Sequence, residues 1–139
     1  MDSRKMSDGY IVRCDMGDEV VSALTAFAAE NGINSGTVIG IGAVRDVTLG
    51  YFDLLKKEYV KREFDGIYEL LSLSGNYAKK NADTILHCHA VISDIHFNVY
   101  GGHLFRGAVA ITGEFYIRPG GEEIYRCPDE ATGLNLIKL

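Results

Sequence analysis

Residues 37 to 53, TVIGIGAVRDVTLGYFD, are the stretch of the chain that says most about its fold. β-Branched and aromatic residues predominate, and Val47 to Tyr51 shows the two-residue alternation that is typical of a β-strand. A dinucleotide-binding fingerprint would need the glycines Gly40 and Gly42 to open a helix, and no helical pattern follows them. The stretch therefore predicts a long strand whose glycines mark a bulge or a close backbone approach.

One helix is predicted before this strand, over residues 18 to 31. Its apolar residues recur at intervals of three and four and so share one face; they are Val20, Val21, Leu24, Phe27 and Ala28. We expect Asp18 to cap the start of the helix and Asn31-Gly32 to end it.

The rest of the chain consists of short β-branched and aromatic runs separated by Gly, Asn and Asp, a pattern that predicts consecutive strands and turns. The predicted strands cover residues 10–14, 37–53, 57–64, 67–76, 85–92, 97–105, 108–117 and 134–138. With one helix and a length of 139 residues, we expect a single α+β domain, residues 1–139, in which a mainly antiparallel sheet packs with one principal helix.

Composition and charge narrow the class of protein. The chain is 47% hydrophobic and 24% charged, which is ordinary globular composition. No stretch has the roughly 20 apolar residues of a membrane span, and no signal sequence is apparent. The three cysteines are odd in number and lack a CxxC pair, which favours reduced thiols in a cytoplasmic protein.

Direct DNA binding by the lone chain is disfavoured because the formal net charge is −5, whereas nucleic-acid binders usually present a basic face. A basic cluster at Lys56, Lys57, Lys61 and Arg62 is interrupted by glutamates, and a solvated surface of alternating charge explains it.

Three histidines fall on two adjacent predicted strands. Side chains alternate along a strand, so His87 and His89 project from the same face. If Ile92 pairs with Asn98 across the hairpin, His103 lies opposite His87, and all three imidazoles share one face. Opposed residues have Cβ atoms about 4.5 to 5.5 Å apart, which lets the ring nitrogens reach one ion at about 2.0 to 2.1 Å.

Three neutral imidazoles are typical ligands of Zn²⁺ or another divalent transition metal, and they leave a fourth position for water or a ligand. Glu69 and Glu114 are candidate outer-sphere or base residues near such an ion. His96 is expected to be an exposed loop residue, and Cys88 is expected to face the core. No residue is assigned a catalytic role, and the chain is not assigned as an enzyme.

Several motifs in a fixed order resemble the PPC (plants and prokaryotes conserved) domain, in the form that stands alone in bacteria and archaea without an AT-hook. They are Gly40-Ile41-Gly42-Ala43-Val44, Val47-Thr48-Leu49-Gly50-Tyr51-Phe52-Asp53, Tyr68-Glu69-Leu70-Leu71-Ser72-Leu73-Ser74-Gly75-Asn76, Leu86-His87-Cys88-His89 and Gly101-Gly102-His103-Leu104. The resemblance runs from Gly9 to Leu139. It implies an antiparallel sheet with one principal helix, assembly as a homotrimer, and a metal site at His87, His89 and His103.

The resemblance leaves three functional hypotheses open. The leading one is a trimeric metal-binding protein that either senses a small ligand or carries out metal-assisted chemistry on a small anionic substrate. The second is a nucleic-acid-associated module, which the DNA-binding label of the family suggests, although the sequence contains no AT-hook. In the third, the metal is purely structural and clamps two strands together.

Overall fold

A computed structural model describes all 139 residues and contains eight strands and one helix. In chain order these are β1 (Asp2–Met6), β2 (Gly9–Cys14), α1 (Val20–Glu30), β3 (Gly36–Asp53), β4 (Glu58–Lys80), β5 (Asp83–Ser93), β6 (Val99–Pro119), β7 (Tyr125–Pro128) and β8 (Asn135–Lys138). The predicted combination of a mainly antiparallel sheet with one helix is confirmed. No helix has the length and hydrophobicity needed to cross a bilayer.

Four long strands form the centre of the sheet. Each of β3, β4, β5 and β6 pairs with two of the others, so the four close into a ring. The β1–β2 hairpin extends the sheet from β6, and the β7–β8 hairpin joins β4 through a single parallel pairing, Lys79 with Tyr125. This arrangement brings the C-terminal hairpin next to β4 and β5.

The centre of the sheet contains fewer and longer strands than the sequence predicted. The predicted segments 57–64 and 67–76 form one strand, β4, and the segments 97–105 and 108–117 form one strand, β6. Short β1 and β7 were not predicted, because polar five- and four-residue strands lack a clear alternation. Gly66, with φ of 93°, illustrates how a residue that suggests a turn can lie within a continuous strand.

The helix begins two residues later than predicted, and its cap is Glu19 in place of Asp18. The Glu19 carboxylate accepts hydrogen bonds from the backbone N–H groups of Val21 and Ser22. Asp18 lies one residue before the cap, and its carboxylate accepts the backbone N–H of Asp15. The predicted end is confirmed: Asn31 is the C-cap, and Gly32 follows it with φ of 65°.

The core lies between α1 and the sheet and forms one cluster of 22 buried residues. The helix contributes Val20, Leu24, Phe27 and Ala28. The hydroxyl of buried Tyr77 on β4 donates a 3.3 Å hydrogen bond to the carbonyl oxygen of Leu24, so the largest fully buried side chain also fixes the helix on the sheet.

The glycines of β3 behave as the sequence predicted. The register between β3 and β4 shifts between Gly40 and Gly42, which marks a bulge, and β3 continues as a strand on both sides. A Cβ atom on Gly40 would overlap the ring of Phe115 and the carbonyl oxygen of Glu114. Gly40 therefore allows β3 and β6 to approach closely.

We predict that Gly40→Ala lowers the free energy of unfolding by about 1–3 kcal/mol, because the methyl group has no room beside buried Phe115. Urea unfolding followed by circular dichroism measures the change. Gly121→Ala is the matched control: nothing lies near its Cβ position, so its effect should stay within about 0.5 kcal/mol. Equal stabilities of the two variants would contradict this account of β3.

Candidate metal centre

His87, His89 and His103 come together on the outer face of the sheet. One ligating nitrogen from each ring lies within 4.8 Å of the others, and the ring centroids are 5.0 to 5.5 Å apart. A tetrahedral ion would need its ligand nitrogens about 3.3 Å apart, which follows from metal–nitrogen distances of about 2.0 to 2.1 Å. Small rotations of the side chains are enough to reach that geometry.

The strand register that brings the rings together differs from the predicted one. His103 pairs with His89, where the sequence predicted His87, and Ile92 pairs with Tyr100, where it predicted Asn98. The pairing is thus displaced by two residues. Because side chains alternate with a period of two, this displacement keeps all three imidazoles on one face.

The displacement comes from the turn that joins β5 to β6. Five residues, 94 to 98, lie between the strands. The Asp94 carboxylate accepts the backbone N–H groups of His96 and Asn98 at 2.8 and 2.9 Å, and Phe97 takes a positive φ of 62°. His96 is exposed in this turn, as predicted, and lies outside the histidine cluster.

The opposite face of the same strands belongs to the core. Cys88 is 1% exposed and packs in the hydrophobic cluster with Ala90 and Ile92, as predicted for the residues that alternate with the histidines. No bulge interrupts the pairing of β5 with β6. Gly102 provides room for the backbone of Gly50 on β3, so its role is strand packing.

Aromatic rings border the cluster on one side. The ring of His103 lies 5.1 Å from that of Tyr59 on β4 and 4.7 Å from that of Phe105 on β6. Tyr59 and Phe105 contact each other edge to face at 5.0 Å, and a Cβ atom on Gly50 would overlap both rings. Gly50 therefore leaves room for the aromatic pair beside His103, where the two rings restrict the orientation of its imidazole.

The β7–β8 hairpin completes the site and supplies Arg126. Its Nη2 lies 3.1 Å from Nδ1 of His87 and donates a 2.7 Å hydrogen bond to Oδ1 of Asn76, while Nη1 donates to the carbonyl oxygen of Asn135 at 3.1 Å. A cavity of about 250 Å³ opens here. Its lining residues are Tyr59, Ile85, Leu86, His87, His103, Arg126, Leu134, Asn135 and Leu136.

The histidine side chains have the properties of metal ligands. Nδ1 of His103 is buried and has no hydrogen-bond partner, although buried polar atoms in proteins nearly always have one. A cation bound by the three rings would satisfy that nitrogen. Three imidazoles form a donor set that suits zinc and its neighbouring divalent transition metals.

Burial and local charges favour the neutral form of two of the three imidazoles, and neutral imidazole is the form that binds metals. The pKa of His103 is lowered to about 4, mainly by burial, and repulsion from a protonated His87 or His89, from Arg126 and from Lys61 contributes to the same shift. Burial also lowers the pKa of His87, followed by the charges of Arg126 and His89. The positive charge beside these neutral rings is the guanidinium of Arg126, within a protein whose net charge is −5.

The candidate outer-sphere carboxylates lie elsewhere on the sheet. Glu69 is five residues along β4 from Ser74, the partner of His89, or about 16 Å at 3.3 Å per residue. Glu114 is eleven residues along β6 from His103, or about 36 Å. β4 and β6 are single long strands, so their distant residues stay apart, and the structure brings neither carboxylate to the histidines.

Comparison with protein families identifies the fold. The model of the Plants and Prokaryotes Conserved (PCC) domain matches residues 1–119. The chain belongs to this family. It is the domain that the sequence motifs resemble, abbreviated PPC below.

Solved structures from bacteria and archaea share the whole PPC fold. A proposed DNA-binding protein from Bacteroides thetaiotaomicron is 33% identical, with a TM-score of 0.95 over 99% of this chain and 96% of that one. A PPC protein from Pyrococcus horikoshii is 32% identical, with a TM-score of 0.88 over 99% and 94%. A metal-containing protein from Archaeoglobus fulgidus is 39% identical, with a TM-score of 0.86 over 95% and 94%. No curated protein sequence matches the chain.

Sequence reasoning missed the surroundings of the histidines. Arg126 lies 23 residues beyond His103, in the tail that follows the family match, and no local pattern links it to the site. Tyr59 and Phe105 are aromatic residues on predicted strands, where core packing is the ordinary expectation. Only the pairing of β4, β6 and the C-terminal hairpin reveals that Tyr59 and Arg126 line one cavity and that Phe105 contacts the ring of His103.

We predict that the metal-free PPC protein loses stability as the pH falls from about 6.5 to 4. The folded pKa of His103, about 4, lies below the unfolded value of about 6.5, so the unfolded chain binds more protons in this window. Urea unfolding in the presence of a chelator measures the slope, and His103→Gln should reduce it. An NMR titration midpoint of the His103 ring near pH 6.5 would contradict the prediction.

Proposed function

We propose that this PPC protein binds a divalent transition metal, with zinc the preferred ion, through His87, His89 and His103, and that it binds a small ligand at the open side of the ion. The observation that carries the proposal is the convergence of three ligating nitrogens within 4.8 Å beside a cavity. The relative from Archaeoglobus fulgidus, which is a metal-containing protein, supports it.

The arrangement favours an accessible metal over a structural clamp. Structural zinc sites usually have four protein ligands, whereas sites that act on a ligand keep one position open. The described cluster contains three candidate ligands, and Cys88 is turned into the core. A bound ion would supply a Lewis acid and a means of lowering the pKa of water, while Tyr59 and Phe105 limit access from one side.

Direct DNA binding is not part of this proposal, although two relatives are described as proposed DNA-binding proteins. Three of the four residues of the basic cluster have partners within the fold: Lys61 lies over the Phe105 ring at 4.1 Å, Arg62 over the Phe64 ring at 5.1 Å, and Lys57 donates to the carbonyl oxygen of Glu130. These side chains are not arranged as a free basic stripe for phosphates.

We further propose that the chain assembles as a homotrimer through an exposed apolar patch of the sheet. Ile41, Leu71 and Ile111 border one depression and are 48 to 63% exposed, and Ile39 and Tyr116 extend the patch as an exposed cross-strand pair. Contiguous apolar surface of this kind usually marks an interface. Closed symmetric assembly would bury it.

For the metal site, we predict about one bound transition-metal ion per chain in the purified protein, measured by elemental analysis. His87→Ala should lower the metal affinity at least about 100-fold, because two imidazoles remain and outer-sphere changes alone cost about 10–100-fold. His96→Ala, which removes an exposed histidine outside the cluster, should retain the full metal content. Equal metal content of wild type and His87→Ala would refute the site.

For the assembly, light scattering after gel filtration should give three times the chain mass of 15.3 kDa. Ile41→Glu should reduce the mass to that of a monomer, because a buried unpaired carboxylate is costly at an interface. Leu55→Glu is the control, since Leu55 is fully exposed in the β3–β4 turn. A wild-type monomer at all concentrations would exclude the trimer.

A further inference from the structure

Arg126 is a partly buried cation without an acidic partner. The ion pairs of the chain involve other residues, at the N-terminus, at Arg13, at Arg45 and at Lys79. The Nε atom of Arg126 is buried and has no hydrogen-bond acceptor. Leaving a buried charge unpaired is expensive, and proteins normally pair a buried guanidinium with a carboxylate or phosphate.

The contacts that Arg126 does make hold it in place without neutralising it. The Oδ1 atom of Asn76 and the carbonyl oxygen of Asn135 accept from its two Nη atoms, and both acceptors are uncharged. The guanidinium is therefore oriented at the wall of the cavity, while its charge and its Nε–H group stay available.

Proton positions on His87 show why this contact must change when a metal binds. A guanidinium only donates, so Nδ1 of His87 accepts from Nη2 of Arg126 with its lone pair. A neutral imidazole has one such lone pair. If the metal takes Nδ1, the arginine is displaced; if it takes Nε2, the proton moves to Nδ1, which can no longer accept.

Either mode of metal binding thus frees a donor on Arg126. The freed guanidinium would lie beside the bound cation, and the two positive charges repel each other. An oxyanion placed between them removes this repulsion, because one of its oxygens can bind the metal while others accept hydrogen bonds from the guanidinium. The cavity of about 250 Å³ is slightly smaller than ordinary ligand pockets of about 300–1,000 Å³, which favours a small molecule.

We propose that Arg126 is the anion-binding residue of this site and that the ligand is a small oxyanion, a carboxylate or a phosphate, held jointly by the guanidinium and the metal ion. The inference rests on the proposed metal function and specifies its ligand class. It also assigns a binding role to the β7–β8 hairpin, which lies beyond the residues that match the family model.

Cobalt-loaded full-length protein provides the test, because the visible absorption of Co²⁺ reports directly on its ligands. The protein is titrated with acetate and, separately, with inorganic phosphate; acetamide serves as the uncharged analogue of acetate. The variants are Arg126→Met, which removes the charge, and Arg126→Lys, which keeps the charge and loses the planar fork. Arg4→Met, an exposed arginine of β1 without an ion pair, is the matched control.

We expect a saturable spectral change with acetate or phosphate and none with acetamide. Arg126→Met should bind Co²⁺ with unchanged stoichiometry and lose at least about tenfold in anion affinity, Arg126→Lys should lose less, and Arg4→Met should match the wild type. The anion that binds more tightly distinguishes a carboxylate from a phosphate ligand.

Other outcomes overturn the inference in distinguishable ways. Binding of Co²⁺ without any anion response, or an anion affinity within twofold of wild type in Arg126→Met, rejects the role of Arg126 and leaves the metal site intact. Failure of the wild type to bind Co²⁺ rejects both proposals. If Arg126→Met does not fold, Arg126→Lys decides the matter, and an unchanged anion affinity in that variant rejects the inference.

Discussion

The pairing of β5 with β4 on one side and with β6 on the other is the constraint on which the rest of the structure depends. It closes the four long strands into a ring and sets which residues face the core. Cys88, Ala90 and Ile92 enter the hydrophobic cluster, so the residues that alternate with them must project outward. The histidine cluster is thus a consequence of core burial. A displacement of β5 by a single residue would turn its core residues outward and turn His87 and His89 inward, away from His103.

The polar surroundings of the histidines are unusual for a metal site. Ligating histidines commonly donate their second N–H to a carboxylate or carbonyl oxygen, whereas His87 contacts a guanidinium. Burial and nearby positive charges lower the pKa values of His87 and His103, which favours the neutral form that binds a cation, yet the charge of Arg126 repels that cation. A negatively charged ligand would reduce the repulsion between the bound cation and Arg126. The proposed metal and the proposed anion therefore stabilise each other at this site.

The family relationship explains the fold more directly than the function. PPC relatives from bacteria and archaea superpose over nearly the whole chain, but their descriptions range from proposed DNA binding to metal content. The functional argument for this chain therefore rests on its own side chains. Lys61 and Arg62, which could suggest phosphate binding in sequence, pack on aromatic rings, while His87, His103 and Arg126 line a cavity.

The sequence by itself determined the class of fold, the helix, most strands and the trio of histidines, because hydrophobic periodicity and two-residue alternation are local properties. It also predicted that His96 and Cys88 stand apart from the site. Tertiary structure alone decided the pairing of His103 with His89, since the turn held by Asp94 sets the register, and it excluded Glu69 and Glu114 from the cluster. Arg126, Tyr59 and Phe105 join the histidines only through contacts between strands distant in sequence, and no local pattern encodes such contacts.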